Sequence, residues 1–255
     1  MTPLVLVAHG SRDPRSAATV RRLARAVRDA WPAPVAAAFL DFNLPAVAPT
    51  VRALAVESDH PPVVVPALLT YAYHGRVDVP EVLAATGVTA LVANVLGPSA
   101  PSEEPDPLLL GALHRRLSEL DRRFDGVALL AAGTRDLVAR STVDSVASAL
   151  SVVLGLPCVA GYASGGTSGA EAVEAVRARG ARRILASSYF LAPGRLHGAV
   201  AASARAAGAL GVTAPLGAAA ELVGLITARA HASAVPTPAV PTSAVPTPAV
   251  PTPAA

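Results

Sequence analysis

One strand–turn–helix pattern occurs twice in this chain, at an offset of about 123 residues. In the first copy the apolar run Leu4-Val5-Leu6-Val7-Ala8 leads straight into His9-Gly10-Ser11-Arg12, and Asp13-Pro14 then reads as a helix cap and first helical residue. In the second copy Val127-Ala128-Leu129-Leu130-Ala131 leads into Ala132-Gly133-Thr134-Arg135, and Asp136 takes the place of Asp13. Few folds accept this pattern. Uninterrupted apolar strands need cover on both faces. Strands alternating with helices need right-handed crossovers in a mostly parallel sheet. The turn after each strand then lies at a carboxyl end, where open α/β sheets bind ligands. An internal duplication with one degenerate copy is the simplest account.

The spacing predicts strands near 3–8, 34–39, 62–66 and 90–95, and helices near 14–30, 45–57 and 79–85. Pro14, Pro45 and Pro80 each mark a helix start. Residues 98–107 hold four prolines and three acids without apolar periodicity and read as a linker. A Leu- and Arg-rich helix near 107–123 goes with the second half. Strands near 157–161 and 182–187 follow, with helices near 140–153, 169–179, 198–207 and 217–229. The expected organisation is an N-terminal unit at 1–97, the linker, a degenerate repeat at 108–231, and a tail at 232–255. From Ala234 that tail repeats Ala-Val-Pro-Thr-Pro/Ser without charge, and proline denies it helix and sheet interior.

Composition narrows the chemistry. All 21 basic residues are arginine, so neither a Schiff-base lysine nor a phosphate-loop lysine is present. Gly165-Gly166 lacks phosphate-loop spacing, and no Gly-x-Ser-x-Gly elbow occurs, which disfavours ATP use and serine hydrolysis. The net charge of +3 is thinly spread and aromatics are only 4%, which speaks against a nucleic-acid partner. Cys158 is the single cysteine, expected to be a buried small residue; it allows no internal disulfide and no thiolate cluster. Charged residues break the long apolar stretches and no secretory signal pattern opens the chain, so no membrane partner and a cytoplasmic setting are expected.

Two histidines stand where chemistry is expected. His9 follows the first apolar strand, with Gly10 allowing close approach of a ligand and Ser11, Arg12 and Asp13 placing three polar groups in one turn. The plainer reading is a histidine capping a strand end. Asp13 reads as a helix cap, and Arg12 either binds a carboxylate or pairs with an acid nearby. His74 lies in Thr70-Tyr71-Ala72-Tyr73-His74-Gly75, after the run Val63-Val64-Val65-Pro66-Ala67-Leu68-Leu69, on the same sheet rim. Two imidazoles without a cysteine or close carboxylate give a divalent metal an open, labile site suited to transient delivery, and imidazole also accepts protons near neutral pH. His60, His114 and His231 look incidental. His197 either faces the same cleft or lies on the surface of the degenerate repeat.

The segments "VLVAHGSRDPR", "AFLDFNLPAV" and "VVVPALLTYAYHGRVDVPEVL" closely resemble the CbiX-type sirohydrochlorin chelatases of the class II chelatase group, in order and spacing. The resemblance covers about residues 2–229. It implies an α/β fold of two similar chelatase-like domains, each a mostly parallel sheet flanked by helices, with a cleft between them. It implies insertion of Co2+ or Fe2+ into sirohydrochlorin without ATP, the metal being substrate and no cofactor being tightly bound. His9 and His74 would bind the metal, and His9 would accept pyrrole protons. Leu69, Thr70, Tyr71, Ala72, Tyr73 and His74 would line the tetrapyrrole, with Ser11 and Arg12 as further contacts. Arg12, Arg76 and Arg195 are candidates for the substrate's carboxylates. Some family members carry a glutamate where this chain has Leu44; either that contact is missing or Asp41 serves instead. Ala132 and Leu196 stand where the second half would need histidines, so one metal site per chain is expected, and substitutions at His197 should matter little. Two repeats supply both cleft walls, compatible with a monomer. A tetrapyrrole or metal carrier without turnover, and an unrelated α/β enzyme using His9 as a base, are the alternatives.

Overall fold

The computed structural model describes residues 1–72 and 74–234, with the backbone alone for His74. The chain runs β1 (Leu4–Ala8), α1 (Pro14–Ala30), β2 (Val35–Phe39), α2 (Val47–Val56), β3 (Val63–Pro66), a π-helical turn (His74–Asp78), α3 (Val79–Ala84), β4 (Leu91–Val92) and α4 (Pro107–Ser118). It continues with β5 (Gly126–Ala131), α5 (Leu137–Leu154), β6 (Cys158–Tyr162), α6 (Gly169–Ala178), β7 (Ile184–Ser188), α7 (Arg195–Ala206) and α8 (Ala220–Ala234). The strands form two wholly parallel sheets, in the orders β2-β1-β3-β4 and β6-β5-β7.

The period-two alternation of strands sorts the core. Leu4, Leu6 and Ala8 of β1 face one side of their sheet and Val5 and Val7 the other. In β5, Val127, Leu129 and Ala131 face the shared side, while Ala128 and Leu130 face outward onto α6 and α7. The inner faces of both sheets meet one continuous apolar core with α1, α4, α5 and α8, so the two halves are not separate globules. One helix crosses over. Helix α4 packs within the second half, on α5, β7 and α8, whereas α8 also reaches back onto α1, β3 and β4 of the first. Leu222, Leu225 and Ile226 of α8 are fully buried there.

The two turns that define the repeat are alike in detail. Asp13 caps α1 by accepting from Arg15 N, and Asp136 caps α5 by accepting from Val138 N and Ala139 N. Ser11 Oγ accepts from Asp13 N and Thr134 Oγ1 from Asp136 N, each at 3.1 Å. Gly10 and Gly133 both have positive φ, +94° and +84°, and a Cβ on either would overlap a carbonyl oxygen of the neighbouring loop, from Asp41 and Ser164 respectively.

Several expectations are corrected. Pro45 does not open a helix: it follows a cis bond, its carbonyl accepts from Phe39 N at 3.0 Å, and α2 begins at Val47. Helix α5 starts at Leu137, where its Asp136 cap places it, not at 140. It is also long and apolar enough to reach membrane-span size, with a hydropathy of 1.4 over 18 residues, although it carries Arg140 and Asp144 and packs on β6 and α4. Helix α8 runs to Ala234, so the first residues assigned to the tail are helical, and His231 lies against Trp31 with ring centroids 4.6 Å apart. The rest of the tail lies outside the described residues. Cys158 is buried, which pushes its thiol up to about 12 and leaves it unreactive.

Candidate active site

The sheet orders place a strand-order reversal between β1 and β3 and another between β5 and β7, and crevices open at such points. Here the two crevices face each other across one cleft of about 800 Å³. One wall comes from the segments after β1 and β3, and the other from those after β5 and β7. Leu68, Leu69, Phe190 and Leu191 make much of the wall apolar, while Arg12, Arg140 and Arg195 stand against Asp13, the single acid among the described lining residues. The Asp13 carboxylate is already held low by its bonds to Arg15. The cleft is therefore an apolar slot edged by cations, suited to a large flat apolar body bearing carboxylates.

His9 lines this cleft. The loop after β2 fixes it: Leu40 N donates to Ala8 O at 3.0 Å, Asp41 N to His9 O at 2.8 Å, and Ser11 N to Asn43 Oδ1 at 2.8 Å. His9 Nδ1 lies 3.1 Å from Gly10 O. A carbonyl only accepts, so Nδ1 carries the proton and Nε2 the lone pair. Phe42 extends the wall. Its ring lies near parallel to His9 with centroids 6.1 Å apart, and the Arg12 guanidinium sits 5.3 Å from its centre. Phe42 holds φ +60° and stays 50% exposed, a strained backbone that offers a ring to the cleft mouth.

Of the residues singled out in the sequence, His9, Ser11, Arg12, Leu69, Thr70 and Ala72 line the cleft. Tyr71 does not; it lies over Gly75, where an added Cβ would come 3.1 Å from its ring. Tyr73 and the His74 side chain lie outside the described residues, and the His74 backbone opens the π-helical turn. Arg76 is taken up by an ion pair with Asp136 that joins this turn to the α5 cap. Ala139's amide and Arg76 keep the Asp136 carboxyl below its usual range. Asp41 is turned back on its own loop, accepting from Phe42 N at 2.7 Å, and does not line the cleft. Leu44 is 74% exposed and its carbonyl accepts from Arg21. Among the described residues no cluster of three or more His, Cys, Asp or Glu could hold a metal.

Sequence reasoning gave the second wall to the later repeat but missed most of the residues that build it. Tyr189 donates to Leu69 O at 2.8 Å, tying the two walls together, and Gly97 leaves room for that contact. His197 lines the cleft rather than the outer surface, half-buried, its ring edge-on to Phe190 at 5.1 Å. Phe42, Phe190 and His197 carry no motif; only the alignment of 188–197 with the His74 region pointed toward His197.

Residues 3–120 match the CbiX family model. No curated protein matches the chain. Among solved structures, SirB from Bacillus subtilis subspecies spizizenii in complex with cobalt, a sirohydrochlorin chelatase, is 18% identical, with 92% of this chain and 96% of that chain covered and a TM-score of 0.73. SirB from Bacillus subtilis with Fe3+ has the same identity and coverage and a TM-score of 0.75. CbiX, the terminal enzyme of sirohaem biosynthesis in denitrifying bacteria, is 17% identical over 89% of this chain and 99% of that chain, with a TM-score of 0.57. The CbiX match thus covers the first half of the chain, and the paired parallel sheets have the fold of the sirohydrochlorin chelatases.

Proposed function

We propose that this protein inserts a divalent metal, Co2+ or Fe2+, into sirohydrochlorin without ATP, acting as a lyase-class chelatase in cobalamin or sirohaem biosynthesis. The observation that carries the reading is the apolar, arginine-edged cleft at two facing strand-order reversals, with His9 on its wall. The slot would take the macrocycle, with Leu69, Thr70 and Ala72 against one face and Arg12 and Arg195 toward its carboxylates. His9 and His74 would hold the incoming metal loosely, and His9 would accept a pyrrole proton once its lone pair is free. The N-terminal half, 1–97, would carry the one metal site, and 108–231 would serve as the other wall. Both walls come from one chain, which supports a monomer, and the biosynthetic role supports a cytoplasmic setting.

Anaerobic incubation with sirohydrochlorin and Co2+ or Fe2+, followed by absorbance, tests this. Metalation faster than the uncatalysed rate, lost in His9→Ala and His74→Ala, is the expected result. Binding of the tetrapyrrole without acceleration would replace this reading with that of a carrier.

A further inference from the structure

The second repeat lacks the strand-end histidine of the first, yet it commits a buried polar network to one imidazole. Ser188, at the carboxyl end of β7, is 1% exposed. Its N–H donates to Thr213 Oγ1 at 2.8 Å, its hydroxyl donates to Thr213 O at 2.7 Å, and the same hydroxyl oxygen lies 3.0 Å from His197 Nε2. Thr213 is itself 2% exposed. A serine hydroxyl has one proton, and here the Thr213 carbonyl takes it. His197 Nε2 must therefore carry a proton and donate it to Ser188. The lone pair sits on Nδ1. No hydrogen bond from a described group reaches Nδ1, and the ring borders the cleft. Burial lowers the His197 pKa first, with Arg205 on its own helix and Arg15 on α1 adding to the effect, so the ring is neutral and able to accept. The loop just before it closes on the first wall: a Cβ at Gly194 would stand 3.8 Å from Ser11 Oγ.

The chemistry leaves a vacancy for such a group. Metal insertion releases two pyrrole protons. His9 has one lone pair, on Nε2, and an imidazole nitrogen that is holding a metal has none left for a proton. We propose that His197 is the base on the second wall: its Nδ1 takes the first pyrrole N–H proton while His9 holds the metal. The pyrrole N–H bond breaks, its electron pair stays on nitrogen and becomes the bond to the metal, and a new N–H forms on His197. The imidazolium then gives its proton to water. This step rests on the function proposed above.

His197→Gln keeps a donor near Ser188 and removes the basic nitrogen. It should bind sirohydrochlorin within about twofold of wild type and metalate it with a kcat lower by at least about tenfold. His197→Gly should be equally slow and regain rate on addition of free imidazole, which a packing role would not produce. Unchanged kcat, a loss confined to KM, absence of imidazole rescue, or unfolding of both variants by circular dichroism would each overturn the assignment. If wild type turns over and His197→Gln keeps pace with it, this step alone fails. If wild type binds sirohydrochlorin and never metalates it, the proposed function fails and this step with it.

Discussion

Replacing Gly10 with alanine probes the turn that aims His9, and replacing Gly133 supplies a control inside the same molecule. A Cβ on Gly10 would fall on the Asp41 carbonyl, 3.0 Å from its carbon and closer still to its oxygen, and 3.2 Å from Asn43 Oδ1. A Cβ on Gly133 meets the Ser164 carbonyl in the same way, again 3.0 Å from its carbon. Positive φ costs a non-glycine residue about 1–2 kcal/mol, and forcing the two loops apart costs about 1–3 kcal/mol more. The sum, about 2–5 kcal/mol, lowers the melting temperature by about 4–20 °C for a chain of this size. Both variants should lose similar stability in thermal melts. Only Gly10→Ala should also slow metalation sharply, because Asp41 N and Ser11 N are the contacts that hold the His9 turn. Melting of Gly10→Ala within 1–2 °C of wild type would refute the steric argument. Equal activity losses in the two variants would refute the claim that only the first turn aims a reacting group.

Phe42 should reverse the usual order of small substitutions: at φ +60° glycine should be more stable than alanine by about 1 kcal/mol, read as the difference in melting temperature. Both variants should raise the KM for sirohydrochlorin more than they lower kcat, since the ring borders His9 and Arg12 without a proton to exchange. Ser188→Ala leaves the Thr213 carbonyl and the His197 Nε2–H without their partner and should cost about 1–3 kcal/mol in denaturant unfolding. Asp136 has a lowered folded pKa, so its contribution is full above the unfolded carboxylate pKa and fades as pH falls through the folded value, below about 4. Acid melts of Asp136→Asn should accordingly show a smaller loss of stability over that range. His197 also has a lowered folded pKa, so its neutral, buried form stabilises the protein above about pH 6.5 and progressively less below it, a slope that His197→Gln should lack.

The alternation of strands and helices was legible because fully buried parallel strands read as apolar runs and because Asp-Pro pairs mark helix starts. The duplication was legible from the same signals: Gly10 and Gly133, and Asp13 and Asp136, keep their roles in both copies. What could not be read depends on contacts between distant segments. The reach of α8 back onto α1, β3 and β4 leaves no mark in its amphipathic pattern, which only shows that the helix has an apolar face. Arg76 was set aside for substrate carboxylates until Asp136, 60 residues on, proved to hold it. Tyr71 and Phe42 are both aromatic residues in turns, and only the backbone path sends one over Gly75 and the other to the cleft. His197 had its orientation set by Ser188 and Thr213, two residues that look unremarkable in a sequence.

The reach of α8 onto the first sheet changes what a cut in the chain would do. Cleavage within 98–107 would not release a working N-terminal domain. The first fragment would leave with its sheet stripped of α8, exposing Val63 and Val65 along with the inner side of α1. The second fragment would keep α4 on α5 and β7, both beyond the cut, but would carry α8 with the face that covers α1, β3 and β4 left bare. The two should behave as complementary parts that re-form one particle when mixed, and as aggregating chains when kept apart. On this view the second repeat could lose its strand-end histidine without penalty, but its last helix is irreplaceable.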